Sequence, residues 1–287
     1  MPESDAEGDF LEGVYTTDIG LTWLASQWEV LEEFYRKYVQ SHSDEGPAVV
    51  WLKIAESSVD EFDRSKAVQL GQDVQRLLRS PLTDEMIRTV WLAATHGVFD
   101  PGEYGMSAGA WLQKAEEAWL ARVRQNDPAF VPPPPRPVVD EEFRRAVLQV
   151  IRPVAEQLSL AVENPPFGTP VTGLVPALER VVTESCADLG YRLFLRAMKA
   201  YHVPADRPGL VALGERFDYP EWVVPEGLND RTVTPWHRGG WTDTSPPAPV
   251  VRPGSGAHVT PRYLSRGPAT GRLAPGSGMA VCPLSQA

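Results

Sequence analysis

Apolar side chains recur at spacings of three and four along most of the chain up to Tyr201, with polar residues filling the positions between. That spacing follows the 3.6-residue turn of an α-helix and predicts helices with one face turned inward. The first starts at Thr16. Leu21, Leu24, Trp28, Leu31, Tyr35 and Tyr38 share one face, with Asp18 near the start and Arg36 and Lys37 near the end, as the helix dipole favours. A short apolar helix is expected over 47–55, with Trp51 and Ile54. Ser58 and Glu61 fit a capping box that opens a helix carrying Val59, Phe62, Leu70, Val74, Leu77 and Leu78 inward, and Ser80-Pro81 stops it. Thr83 is expected to cap a helix bearing Ile87, Val90, Trp91 and Ala94, with Gly97 as its C-cap. Ser107 is expected to cap another, bearing Trp111, Leu112, Ala115, Trp119 and Val123. Trp28, Trp51, Trp91, Trp111 and Trp119 should then lie near the centre of this block.

The helical pattern stops at Pro128 to Val138, which reads PAFVPPPPRPV. Proline has no amide proton and a fixed φ, so four in succession favour a stiff polyproline II rod. Beyond it, Asp140 caps a helix with Phe143, Val147, Val150, Ile151, Val154, Leu158 and Val162 on one side. Pro153 lies inside that helix. An interior proline costs about 3 kcal/mol, which predicts either a bent helix or two short ones. Pro176 falls in the first turn of a long helix ending near His202, with Leu174, Leu178, Val181, Leu189, Leu193, Ala197 and Tyr201 inward. The pair forms an antiparallel hairpin. Residues 204–230, with Phe217, Tyr219, Trp222, Val223 and Val224 between prolines, read as an extended strap on the hairpin. From Arg231 onward nine prolines and eight glycines fall in 57 residues with no apolar period, so disorder is expected there.

The fold class that follows is mostly α. It comprises a disordered acidic leader (1–15), a helical bundle (16–127), a proline-rich linker (128–138), a helical hairpin plus strap (139–230) and a disordered tail (231–287). Short runs such as Val59-Asp60-Glu61-Phe62 and Val139-Asp140-Glu141-Glu142-Phe143 repeat. They admit a triplicated unit, but the preferred reading is the ordinary grammar of a helix, with acids, an aromatic core contact and then bases.

Charge sharpens this picture. Residues 1–127 hold 23 acids against 11 bases, residues 128–230 hold 14 against 10, and residues 231–287 hold one acid, Asp243, against six arginines. An acidic body disfavours nucleic acid and anionic membrane as partners, and the basic tail can touch either the acidic body or an outside polyanion. The chain has 22 arginines and five lysines, a bias that points to a GC-rich coding sequence and a bacterial source. Two cysteines, Cys186 and Cys282, make neither a disulfide framework nor a metal-ligand set. No signal peptide and no membrane span are expected, since the first residues are acidic and no run of eighteen apolar residues occurs. A cytoplasmic protein is the expectation by elimination.

Candidate chemistry is sparse. The loop from His96 to Gly105 gathers His96, Asp100, Glu103 and Tyr104 between glycines, residue types that can ligate a divalent metal or move a proton. The plainer reading is a surface turn. Neither a His-Glu-x-x-His pair nor a glycine-rich phosphate loop occurs, so no cofactor is expected. Paired acids such as Glu32/Glu33 and Glu116/Glu117 lack the histidine three residues on that a carboxylate-bridged metal centre requires. Cys186 lies between Glu184 and Asp188, where negative charge makes a poor nucleophile and a core role fits better. In the tail, Trp236, His237, Arg238 and Trp241 interleave aromatic and cationic groups, a pattern suited to docking on a partner. The expectation is a non-enzymatic interaction or regulatory protein that works through an acidic helical scaffold and a Pro/Arg-rich tail. The alternative is an α-helical enzyme or a protein binding a small ligand or metal at loop 96–104.

Overall fold

In a computed structural model of the chain, residues 18–30, 47–61 and 64–230 are described. The acidic leader, the second half of the first predicted helix (Leu31, Tyr35, Tyr38) and the tail with Trp236, His237, Arg238 and Trp241 lie outside the described residues. What is described is mostly helical: α1 (Leu21–Ser26), α2 (Pro47–Glu61), α3 (Arg64–Leu78), α4 (Asp84–Ala94), α5 (Ala108–Asn126), α6 (Glu141–Ile151), α7 (Ala155–Glu163), α8 (Leu174–Arg180), α9 (Ala187–Ala200) and α10 (Arg207–Arg216). One short parallel pair joins Pro204–Ala205 to Asn229–Asp230. Among the described residues no helix is long and apolar enough to cross a membrane.

Several helix starts follow from their caps. The Thr83 side chain accepts from the Met86 amide, Ser107 from Ala110, and Asp140 from Glu142 and Phe143. Ser58 differs from expectation. It lies inside α2, where its hydroxyl donates to the Ala55 carbonyl, and α2 runs on to Glu61. A mid-helix serine can bond back to its own helix, so a capping pattern in sequence need not mark a start. At Pro153 the chain does what the missing amide demands: a 3-10 turn over Arg152–Val154 separates α6 from α7.

The long helix expected over 174–202 is broken. A π turn over Val181–Ser185 ends at Cys186, which is extended (φ −158°, ψ 123°). The residues at the break have tertiary partners. The Ala187 amide donates to the Val138 carbonyl at 2.9 Å, and the Ser185 hydroxyl donates to the Arg76 carbonyl at 2.9 Å. Residues 204–230 also depart from an extended strap. Pro208 sits in the first turn of α10, a position that tolerates proline, and Leu210, Leu213 and Gly214 are buried there.

The helices on either side of the proline rod share one core. Helix α5 packs on α2 and α3, α4 packs on α8 and α9, and α6 packs on α9 and α10. Trp51, Trp91, Phe99 and Trp111 pack edge to face or tilted, with ring centroids 4.8–6.4 Å apart. Trp119 is equally buried and lies over Gly71, where a Cβ would strike its ring. Trp28 is half-buried and packs against His96 and Phe167 instead.

Candidate functional site

Helix α9 is the axis of the fold. Leu189, Tyr191, Leu193, Phe194, Leu195, Ala197 and Met198 are all buried, far more than one face of a surface helix can supply. Its remaining stripe is charged and is buried too. Arg192, Arg196 and Lys199 are 3 %, 3 % and 6 % exposed. They follow a spacing of four and three, which stacks them on one side of the helix.

Each of these cations meets a carboxylate. Arg192 forks onto Asp73 of α3, with Nη1 and Nη2 at 2.6 and 2.7 Å from its two oxygens, and onto Asp188 at 3.0 Å. Such two-pronged guanidinium–carboxylate pairs are the strong form of a charged hydrogen bond. Asp73 also accepts from the Leu21 amide at 3.1 Å, from Arg76 at 3.1 Å and from Gln69 at 2.9 Å. Arg76 reaches on to Asp188 and to the carbonyl of Arg136 in the proline rod. The Tyr219 hydroxyl donates to Asp188. One turn further along, Asp18 takes Arg196 at 3.1 Å and Lys199 at 2.9 Å. Arg196 also donates to the Ala94 carbonyl at the end of α4, and Lys199 to the Val223 carbonyl. A single charged stripe thus ties the segment before α1, α3, α4, the rod and the 217–228 turn to one helix. Asp18 serves here as a buried partner rather than as a charge near a helix start, because the first helix begins only at Leu21.

Burial by itself would raise the carboxyls of Asp188 and Asp18. The charges and hydrogen bonds of Arg192, Tyr219 and Arg76 around Asp188, and of Lys199 and Arg196 around Asp18, outweigh it and hold both below their ordinary value of 3.8. A carboxyl depressed on folding stabilises the fold above its unfolded pKa, and that contribution is lost as pH falls through the folded value. Burial pushes the hydroxyls of Tyr191, Tyr201 and Tyr219 the other way, upward from 10.0. Their contribution is present below pH 10 and is lost above it. Urea denaturation across pH should therefore show a plateau that falls away below about pH 4 and above about pH 10. A midpoint that does not move below pH 4 would mean that the carboxylate pairs add nothing net.

The loop candidates sit a short way along the chain and take different partners. His96 is 3 % exposed and adopts a left-handed conformation, φ 55°. Its ring stacks between Phe167 at 4.2 Å and Tyr201 at 4.4 Å. Asp100 caps the 3-10 turn Pro101–Tyr104 through the Gly102 amide and is held by two nitrogens of Arg88. The Arg88 hydrogen bonds hold its carboxyl below the ordinary value against a smaller opposing effect of burial. Glu103 is exposed, and Tyr104 stacks on Phe99. Among the described residues no three His, Cys, Asp or Glu side chains stand where they could share a metal ion. Cys186 is buried, accepts from the Val138 amide at 3.3 Å, and its thiol is pushed up by burial.

Sequence reasoning missed the charged stripe. Asp188, Arg192, Arg196 and Lys199 recur at helical spacing, which reads as the solvated face of an amphipathic helix until their partners are known. No protein-family model, no curated protein and no solved structure matches the chain.

Proposed function

We propose that the chain is a non-enzymatic interaction or regulatory protein, an acidic helical scaffold that captures a protein partner with its Pro/Arg-rich tail. One observation carries the reading. The charged groups buried in the helical body hold one another: Asp18, Asp73 and Asp188 are engaged by Arg76, Arg192, Arg196 and Lys199. Groups matched in this way rigidify a body, and net charge is unevenly spread along the chain, acidic before residue 231 and basic after it. A rigid acidic body joined to a basic, proline-rich tail suits capture of a partner better than turnover of a substrate.

Removing residues 231–287 tests the reading. Thermal stability of the shortened chain is expected to match that of the full chain, while partner recovery in a pull-down from the source cell falls. Recovery that is unchanged on truncation would remove the tail from the reading.

A further inference from the structure

The proline rod has an inner and an outer side. A polyproline II helix has three residues per turn, so positions three apart share a ridge. Between Val131 and Val138 the half-buried residues are Pro132, Pro135 and Val138, spaced by three, while Val131, Pro133, Pro134, Arg136 and Pro137 are exposed. Val131 is 79 % exposed. The residues that precede a proline are also restricted to extended backbone, which covers Val131 to Pro134 and Arg136.

The inner ridge is anchored at both ends. Phe130 meets the Trp119 ring edge-on at 6.1 Å. The Arg136 carbonyl accepts from Arg76 at 2.8 Å, and Val138 bonds to Cys186 and Ala187. The rod is therefore tethered to the core at both ends before any partner arrives, which lowers the ordering cost of binding. Packing the core needs only one of its three ridges. The other two carry proline rings and one exposed guanidinium.

We propose that these two outer ridges are a preformed ligand for a polyproline-reading domain. Such domains take proline ridges in an aromatic-lined groove, and here Pro134 and Pro137 would enter the groove while Arg136 meets a carboxylate at its rim. The inference shares the interaction reading above but places it on a different segment, within the helical body.

The probes are three purified domains that read polyproline: an SH3, a WW and an EVH1 domain, each isotopically labelled and titrated with the full chain. At least one should show saturable NMR changes confined to its aromatic groove. Pro134→Ala should weaken that binding about tenfold, and Arg136→Glu about three- to fivefold, the weight of an exposed ion pair. Both side chains are exposed, so circular dichroism and the melting temperature should stay at those of the unaltered chain. No change in any of the three domains would overturn the proposal. So would binding equally strong in both variants; that result would assign recognition to the prolines after residue 231, leaving the tail reading standing and this one gone. Rod-dependent binding together with unchanged capture on tail removal would do the reverse.

Discussion

Asp73→Asn lowers the stability of the fold by about 3–5 kcal/mol, the usual cost of breaking a buried pair by removing one partner. Asp73 is fully buried and accepts from four groups on three segments: Arg192, Arg76, Gln69 and the Leu21 amide. Asparagine keeps the shape but loses the charge, and it presents a donor where Arg192 requires an acceptor. Arg192 is then left buried with Asp188 as its remaining carboxylate. Urea denaturation of the full chain measures the effect. The companion variant Asp73→Leu/Arg192→Met removes both charges, and a buried pair replaced by apolar groups of similar size is often neutral or stabilising. The double variant should recover part of what the single one loses, since it still leaves the buried Leu21 amide and Arg76 without the acceptor they share. A single variant within about 1 kcal/mol of the parent would show that water or neighbouring groups compensate for the charge, and that this stripe does not hold the fold.

Gly168→Ala is the second large effect, and it acts through backbone alone. The loop between α7 and α8 crosses the end of α4 so closely that a Cβ on Gly168 would lie under 3.0 Å from the His96 carbonyl oxygen. A Cβ on Gly97, across the same crossing, would strike the Thr169 backbone, which itself donates to the Gly97 carbonyl at 3.0 Å. Gly168 also sits at φ +80°, a conformation that side chains disfavour. Left-handed strain and overpacking together predict a loss of about 2–4 kcal/mol. The crossing seats Phe167 on His96, so the variant should also disturb the ring environment of His96, visible in its imidazole NMR signals. Gly173, likewise at positive φ but with open space around it, is the control. Gly173→Ala should cost only the conformational part, about 1–2 kcal/mol. Equal losses at the two positions would mean that the crossing is looser than described.

Helix class and most helix positions were legible because they depend on local rules. Period, caps and proline exclusions act within four or five residues, and Thr83, Ser107, Asp140 and Pro153 all act as those rules require. The tryptophans at 51, 91, 111 and 119 were legible as core for the same reason: large apolar groups at helical spacing have nowhere else to go. The candidate loop was legible as a loop but not as chemistry. Nothing local reveals that Asp100 turns back to Arg88 while His96 enters an aromatic stack. The break at Cys186 was not legible either, since no proline or glycine marks it. It persists because the Val138 carbonyl takes the Ala187 amide that the break frees, while the Cys186 sulfur and the Ser185 hydroxyl are held by Val138 and Arg76 from 48 and 109 residues away.

By itself, then, the order of residues determined the helical class, the stiff proline segment and the separation of charge. Each follows from interactions between near neighbours or from composition. Only the tertiary structure decided that helices before and after the rod build one core, that α9 runs through its middle, and that Asp18, Asp73 and Asp188 are buried against its cations. The reason is physical. A charged side chain reads as solvated unless its partner is known, and these partners lie up to 181 residues apart along the chain, so that burial becomes affordable only once folding has brought both members of each pair together.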